Sequence, residues 1–243
     1  MSNPNRDAAQ MQELSLFNRR ARSAAFDAFE MSTISASAPL GNAQQAGDFS
    51  DKIRRVFDIL FSVFMLIAVA PLMAAAAVAI KLDSEGPVFY RQTRVGLNGA
   101  HFRITKFRSM RQDAEKAGVA VWASTGDCRI TQVGCLLRKF RIDELPQFLD
   151  VLRGDMSVVG PRPERPEFVE ILQDAIPDYN LRHTVKPGIT GLAQVRYSYG
   201  ASIDDARVKH IYDMEYLKNR SLRLDGRIVV ETVAVVLFGK GAR

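Results

Sequence analysis

The longest apolar pattern in the chain is "KIRRVFDILFSVFMLIAVAPLMAAAAVAIKLD", in which about 22 residues, Ile59 to Ile80, pass without a charge. A helix of that length reaches across the hydrocarbon of a bilayer. Lys52, Arg54 and Arg55 crowd its first end, the pattern of a flank kept on the cytoplasmic side. Pro71 falls near the middle, where its ring and its missing N–H bend or break a helix. Hydropathy by itself favours a straight span, with everything after Lys81 on the far side. A turn back at Pro71 would keep both ends inside.

Other patterns are shorter. Residues 1–50 are rich in Ala, Ser, Gln and Asn, and "MSTISASAPLGNAQQAGDFS" follows neither the strand nor the helix period, which predicts a polar, largely disordered extension. Leu14, Phe17, Phe26 and Phe29 would anchor one or two short helices there. "GPVFYRQTRVGLNGAHFRITKFRSM" places two partly alternating runs around Asn98-Gly99, a β-hairpin signal. "DELPQFLDVLRG" predicts a short helix with Leu145, Phe148, Leu149 and Leu152 on one face, closed by Gly154. "TVKPGITGLAQV" reads as a Pro-Gly turn entering a short extended piece. Residues 203–238 read as two helices, the last of them strongly apolar. The resulting fold class is α+β, mostly helical.

Net charge narrows the chemistry. The chain has 243 residues and a formal charge of +6, which points to anionic partners: nucleic acid, anionic lipid or phosphorylated substrates. Cys128 and Cys135 are too far apart for a C-x-x-C motif and read as free thiols, and the three histidines are scattered, so a zinc site is not indicated. There is no P-loop.

The stretch "FRIDELPQFLDVLRGDMSVVGPRPERPEF" stands out. By residue type Asp143 reads first as the N-cap of the helix that follows; the same geometry also suits a carboxylate beside a bound diphosphate, acting as a nucleophile. Glu144 is a solvated first-turn acid or a metal and proton partner. Arg162 lies between Pro161 and Pro163, which fix their own φ and push Arg162 into an extended conformation, so its guanidinium loses less entropy on gripping phosphate. Lys106, Arg108, Arg138 and Arg141 could add positive charge nearby. Two carboxylates with phosphate suit a hard, oxygen-seeking cation such as Mg²⁺, with Asp143 and Glu144 as its ligands.

From about Lys52 onward the chain resembles the bacterial sugar transferases that start polysaccharide assembly, the monotopic phosphoglycosyl transferases. The resemblance rests on "KIRRVFD", "KFRSM", "RIDELPQFLDVLRGDMSVVGPRPERPEF", "HTVKPGITGLAQV" and "ETVAVVLFGKGAR", several long motifs in one order. It implies a re-entrant membrane helix over 51–82, broken at Pro71, and a small cytoplasmic catalytic domain over 83–243 with a β-hairpin and interfacial amphipathic helices. It also implies transfer of a sugar 1-phosphate from a UDP-sugar, UDP-glucose or UDP-galactose by preference, to a polyprenyl phosphate such as undecaprenyl phosphate at the inner membrane. Asp143 would carry the covalent sugar phosphate, Glu144 would assist with Mg²⁺ or a proton, and Arg162 would hold phosphate. Lys106, Arg138 and Gln147 fall on further motif positions. Ala70 stands where the family usually has Ser before the proline. The apolar last helix would pack at the membrane or against a second copy. Alternatives are a non-catalytic membrane scaffold and nucleic-acid binding; the latter lacks a recognition-helix or zinc-finger pattern, and anionic lipid accounts for the charge.

Overall fold

The computed structural model describes residues 44–112, 114, 127–197 and 202–237. The predicted disordered extension up to residue 43 and its four anchor residues lie outside these. Helix α1 (Gln44–Asp83) begins ahead of the expected boundary at residue 51 and runs through Pro71 without interruption. The expected break is therefore corrected: a proline removes one i→i−4 bond and bends a helix, but the bonds of the neighbouring turns carry it on. Among the described residues α1 is the one helix long and apolar enough to cross a membrane, and only 11% of its apolar window is buried. Leu60, Phe64 and Ile67 are exposed among the described residues.

Both flanks of α1 are bolted to the same compact unit, which spans Gly47–Arg243. At the first flank Arg54 Nε donates to Asp225 Oδ2 at 2.7 Å. Arg55 donates to the carbonyls of Val151 and Leu152 at 2.6 and 2.8 Å. Asp58 Oδ1 accepts from the Val158 amide at 2.9 Å and the Ser157 hydroxyl at 3.1 Å. At the second flank Ala76 and Ile80 are buried against Phe107 and Leu137. There Asp83 Oδ2 accepts from the Val133 amide at 3.3 Å, and Lys81 donates to the Gly86 carbonyl at 2.9 Å.

The hairpin forms as its alternation and Asn-Gly signal predict. Strands β1 (Phe89–Val95) and β2 (His101–Phe107) pair antiparallel from Phe89 opposite Phe107 to Val95 opposite His101. Asn98 and Gly99 at its tip take φ of 53° and 77°, which a tight turn requires and which these two residues tolerate best. Helix α2 (Gln132–Lys139) follows, with Leu137 in the core and Leu136 exposed beside Phe140, so it is amphipathic.

Helix α3 (Gln147–Arg153) ends at Gly154, whose φ of 96° makes the expected left-handed cap. Its packing differs from the apolar face read from sequence: Phe148 is buried as expected, but Gln147, Asp150 and Val151 are the other buried positions. Asp150 turns inward because Thr105 satisfies it, the amide at 2.7 Å and the hydroxyl at 2.9 Å, which ties α3 to β2.

Two three-residue strands, β3 (Ser157–Val159) and β4 (Gly188–Thr190), pair in parallel. Between them lie α4 (Pro166–Ala175) and a 3₁₀ segment (Tyr179–Thr184). A Cβ on Gly188 would sit 2.1 Å from the Gly160 nitrogen, so only glycine lets the chains approach this closely. Helix α5 (Leu192–Arg196) leads to α6 (Ile203–Asn219) and α7 (Leu222–Leu237), the two predicted C-terminal helices. The main core joins Ile104, Val151, Met156, Val158, Val159, Leu192, Tyr216 and Ile228, so hairpin, strands and last helices share one interior.

Candidate active site

Asp143 and Glu144 sit in a 3₁₀ turn, Ile142–Glu144, between α2 and α3, and both are buried. Asp143 is not the helix cap: α3 starts at Gln147, with Pro146 in the cap position and no side-chain capping bond. The turn is set by Arg141, held in the left-handed region at φ 55°, and closed by the Glu144 amide donating to the Arg141 carbonyl at 3.2 Å. A non-glycine residue there costs about 1–2 kcal/mol. Such strain persists only where the surroundings over-determine it, as functional turns do.

Glu144 gathers the cations. Its Oε1 accepts from Lys106 Nζ at 2.9 Å and also from Arg162 Nη2. Its Oε2 has only the longer contacts, to Arg162 Nη1 at 3.4 Å and Arg141 Nη1 at 3.8 Å. Burial alone would raise the Glu144 carboxyl; the charges of Arg162 and Lys106 outweigh it and hold the group well below the usual range. Arg162, partnered by Glu144, is held charged. Lys106 is lowered by burial, against the attraction of Glu144.

Asp143 is the contrasting member of the pair. No described residue hydrogen-bonds its carboxylate. Burial and then the charge of Glu144 raise its pKa to about 6, opposed by Lys106, Arg138 and Arg162. Two adjacent carboxylates are thus pushed apart: one locked in ion pairs, the other without hydrogen bonds in a field of three cations. Pairs separated in this way mark candidate catalytic groups.

The structure brings Asp143, Glu144, Lys106, Arg162 and Arg141 together, with Arg138 acting on Asp143 from the last turn of α2. Arg108 is elsewhere: it is buried and donates to the Ser84 carbonyl at 2.7 Å and hydroxyl at 3.0 Å, beyond the end of α1. Gln147 is fully buried, and its Nε2 has no hydrogen-bond partner among the described residues. Cys128 and Cys135 are free and exposed. Sequence reasoning missed Arg94 and Arg182, which reach the Arg162 loop from distant parts of the chain; a lone arginine in a strand or a turn carries no local signal of such a contact.

Among the described residues no cluster of three or more His, Cys, Asp or Glu could hold a metal by itself. The carboxylates of Asp143 and Glu144 are hard oxygens of the kind Mg²⁺ takes, and Glu144 Oε2 has the longer cation contacts of the two oxygens. A Mg²⁺ ion held there would take the rest of its ligands from phosphate and water.

The profile of the bacterial sugar transferase family matches residues 49–239. The chain belongs to the bacterial sugar transferase family. It is 52% identical over 191 residues to the UDP-N-acetylgalactosamine-undecaprenyl-phosphate N-acetylgalactosaminephosphotransferase of Aeromonas hydrophila, covering 79% of this chain and 45% of that protein. It is 44% identical over 189 residues to the UDP-glucose:undecaprenyl-phosphate glucose-1-phosphate transferase of Caulobacter vibrioides, covering 77% of this chain and 70% of the relative. An exopolysaccharide production protein of Rhizobium leguminosarum is 42% identical over 196 residues and is covered over 98% of its length. The match thus spans less than half of the Aeromonas relative and nearly all of the Rhizobium one. In this bacterial sugar transferase the matched region holds α1 from residue 49 onward, the hairpin and both halves of the ion-pair cluster.

Proposed function

We propose that this sugar transferase moves a sugar 1-phosphate from a UDP-sugar to a polyprenyl phosphate, undecaprenyl phosphate by preference, as a membrane step of exopolysaccharide synthesis. The observation that carries the reading is Asp143: a buried carboxylate that no described residue hydrogen-bonds, surrounded by the positive charges of Lys106, Arg138 and Arg162. The names of the Aeromonas and Caulobacter relatives support the reaction class.

An Asp143 oxygen attacks the β-phosphorus of the UDP-sugar. The bond from that phosphorus to the bridging oxygen breaks, and UMP leaves with the electron pair. An oxygen of the polyprenyl phosphate then attacks the same phosphorus, and the aspartyl oxygen departs as carboxylate, giving polyprenyl diphosphate sugar. Arg162 and Lys106, oriented by Glu144, stabilise charge on the transferring phosphoryl group. Asp143 and Glu144 Oε2 would hold Mg²⁺, which when bound neutralises developing phosphate charge. The water-excluding burial of the two acids strengthens each of these interactions.

The re-entrant topology belongs to the same proposal. From Arg55 to Ile80 a straight helix would extend roughly 38 Å, more than the roughly 30 Å hydrocarbon core. Yet Arg55 and Asp58 at one flank, and Ile80 and Asp83 at the other, hold the same unit. One folded unit does not stand on both sides of a bilayer, so both flanks lie on one side. The basic first flank supports the cytoplasm as that side, where nucleotide sugars are found. Exposed Leu136 and Phe140, beside the second flank, would rest at the lipid interface.

The test is to incubate full-length protein with UDP-N-acetylgalactosamine and with UDP-glucose, without acceptor, and to map adducts by mass spectrometry. A phosphosugar on the peptide carrying Asp143, lost together with UMP release in Asp143→Asn, is the expected result. Undiminished UMP release by that variant would remove Asp143 as nucleophile.

A further inference from the structure

The loop that carries Arg162 is held by its carbonyls. Pro161 and Pro163 have no N–H to donate, and four consecutive carbonyls are each taken by a donor from elsewhere. The Pro161 carbonyl accepts from the Gly188 amide at 2.9 Å and that of Glu164 from the Val95 amide at 2.9 Å. The middle two are taken by side chains: the Arg162 carbonyl by Arg182 Nη2 at 2.8 Å, and the Pro163 carbonyl by Arg94 Nη1 at 3.1 Å.

Both arginines are themselves fixed. Arg182 is buried, donates Nη1 to the Tyr179 hydroxyl, and pairs through Nη2 with Asp213 Oδ2 of α6 at 2.8 Å. Its guanidinium carbon lies 5.0 Å from the centre of the Tyr179 ring. Arg94 pairs with Glu164 at 3.6 Å and donates to Gln92 at 2.6 Å. Arg182 is buried and Arg94 half-buried, each beside an acid, and placing two such guanidinium groups on two neutral carbonyls is an expensive way to hold an ordinary loop, whose carbonyls water could serve. It makes physical sense where a misplacement of about 1 Å at Arg162 would cost about a hundredfold in rate.

We propose that Arg182, braced by Asp213, and Arg94 are positioning residues that set the Arg162 guanidinium for phosphate by gripping the carbonyls of Arg162 and Pro163. This rests on the reading of Arg162 as a phosphate-holding group. It gives α6 a second role, because Asp213 links that helix to the reacting phosphate through two arginines. Lysine cannot replace either arginine: a single ammonium on a flexible stem does not reproduce the planar fork that meets several partners at once.

The experiment is a double-mutant cycle in the full chain, in detergent with Mg²⁺. UMP release from UDP-N-acetylgalactosamine and from UDP-glucose gives kcat and KM, and UDP affinity is measured by calorimetry as a second readout. Arg182→Lys and Arg94→Lys are each made in the natural chain and in an Arg162→Lys background. The expected result is a loss of about tenfold or more in kcat/KM in the natural chain, falling to less than about twofold when Arg162 is already lysine. A loss of equal size in both backgrounds overturns the proposal, since a scaffold defect does not depend on residue 162. Should Arg182→Lys fail to fold, Asp213→Asn and Arg94→Lys decide by the same comparison. Full activity in Arg162→Lys would instead sink the reading of Arg162, and the two failures are told apart by that single background.

Discussion

At the scale of single residues the site is a division of labour between two neighbouring acids. Glu144 is committed to Lys106 and Arg162, while no described residue hydrogen-bonds Asp143. Replacing Glu144 with Gln keeps the shape but strips both cations of their counter-charge. Removing one partner of a buried pair is strongly destabilising, and because the Arg162 side chain is 33% exposed the expected cost is reduced to about 1–2 kcal/mol. Thermal melting in detergent measures it, and activity should fall further than stability does, because Arg162 and Lys106 lose their orientation. Sequence reading found Asp143, Glu144, Lys106, Arg138 and Arg162 through their charge and the two prolines. Residue type alone did not show why the two acids differ in their surroundings, since that difference lies in Lys106 on a strand about forty positions away in the chain; their separate roles came from the family resemblance. It also set Arg108 with the site, whereas Ser84 claims that side chain.

At the scale of elements, the two flanks of α1 make a prediction of their own. With Cys128 and Cys135 replaced by serine, Lys52→Cys and Ser84→Cys should both react with an impermeant maleimide only after the inner membrane is opened. Labelling of Ser84→Cys in intact cells would rule out the re-entrant arrangement. The parallel contact of β3 with β4 makes another. Gly188→Ala would drive its new methyl against the Gly160 backbone, which cannot yield as a flexible side chain can, so a loss of about 2 kcal/mol or more is expected in melting or denaturant titration. The hairpin was legible because strand alternation and Asn-Gly are local signals. The extended piece after the Pro-Gly turn is β4, as read, but β3 and its pairing with β4 were not legible, being three residues each and paired across about thirty positions of chain.

At the scale of the whole molecule, titration reports how the interior is closed around Arg182. His183 and His210 are lowered to about 4, by burial first and then by the Arg182 charge. In the folded state they therefore bind fewer protons than in the unfolded chain between pH 4 and 6.5, and their contribution to stability is present above pH 6.5 and lost as pH falls through that window. Asp213 nearby has the opposite sign: raised to about 6 by burial, its contribution is full below about 3.8 and lost as pH rises through 6. A chain with His183→Gln and His210→Gln keeps the aspartate term and removes the histidine one. The melting temperature of the natural chain minus that of the variant should thus fall steadily from pH 7 to pH 5; a constant difference would show that the histidines titrate normally. The sequence alone determined the apolar helix, the hairpin, the Gly154 cap and the charged residues of the site, because periodicity, turn chemistry and residue type act over a few neighbours. Only the tertiary structure decided that α1 continues through Pro71 with both flanks on one unit, that Asp143 is a buried acid with no hydrogen bond from the described residues and not a cap, and that Arg94 and Arg182 hold the Arg162 loop. Those are contacts between residues far apart in the chain, fixed by which polar groups must be satisfied once the core has closed.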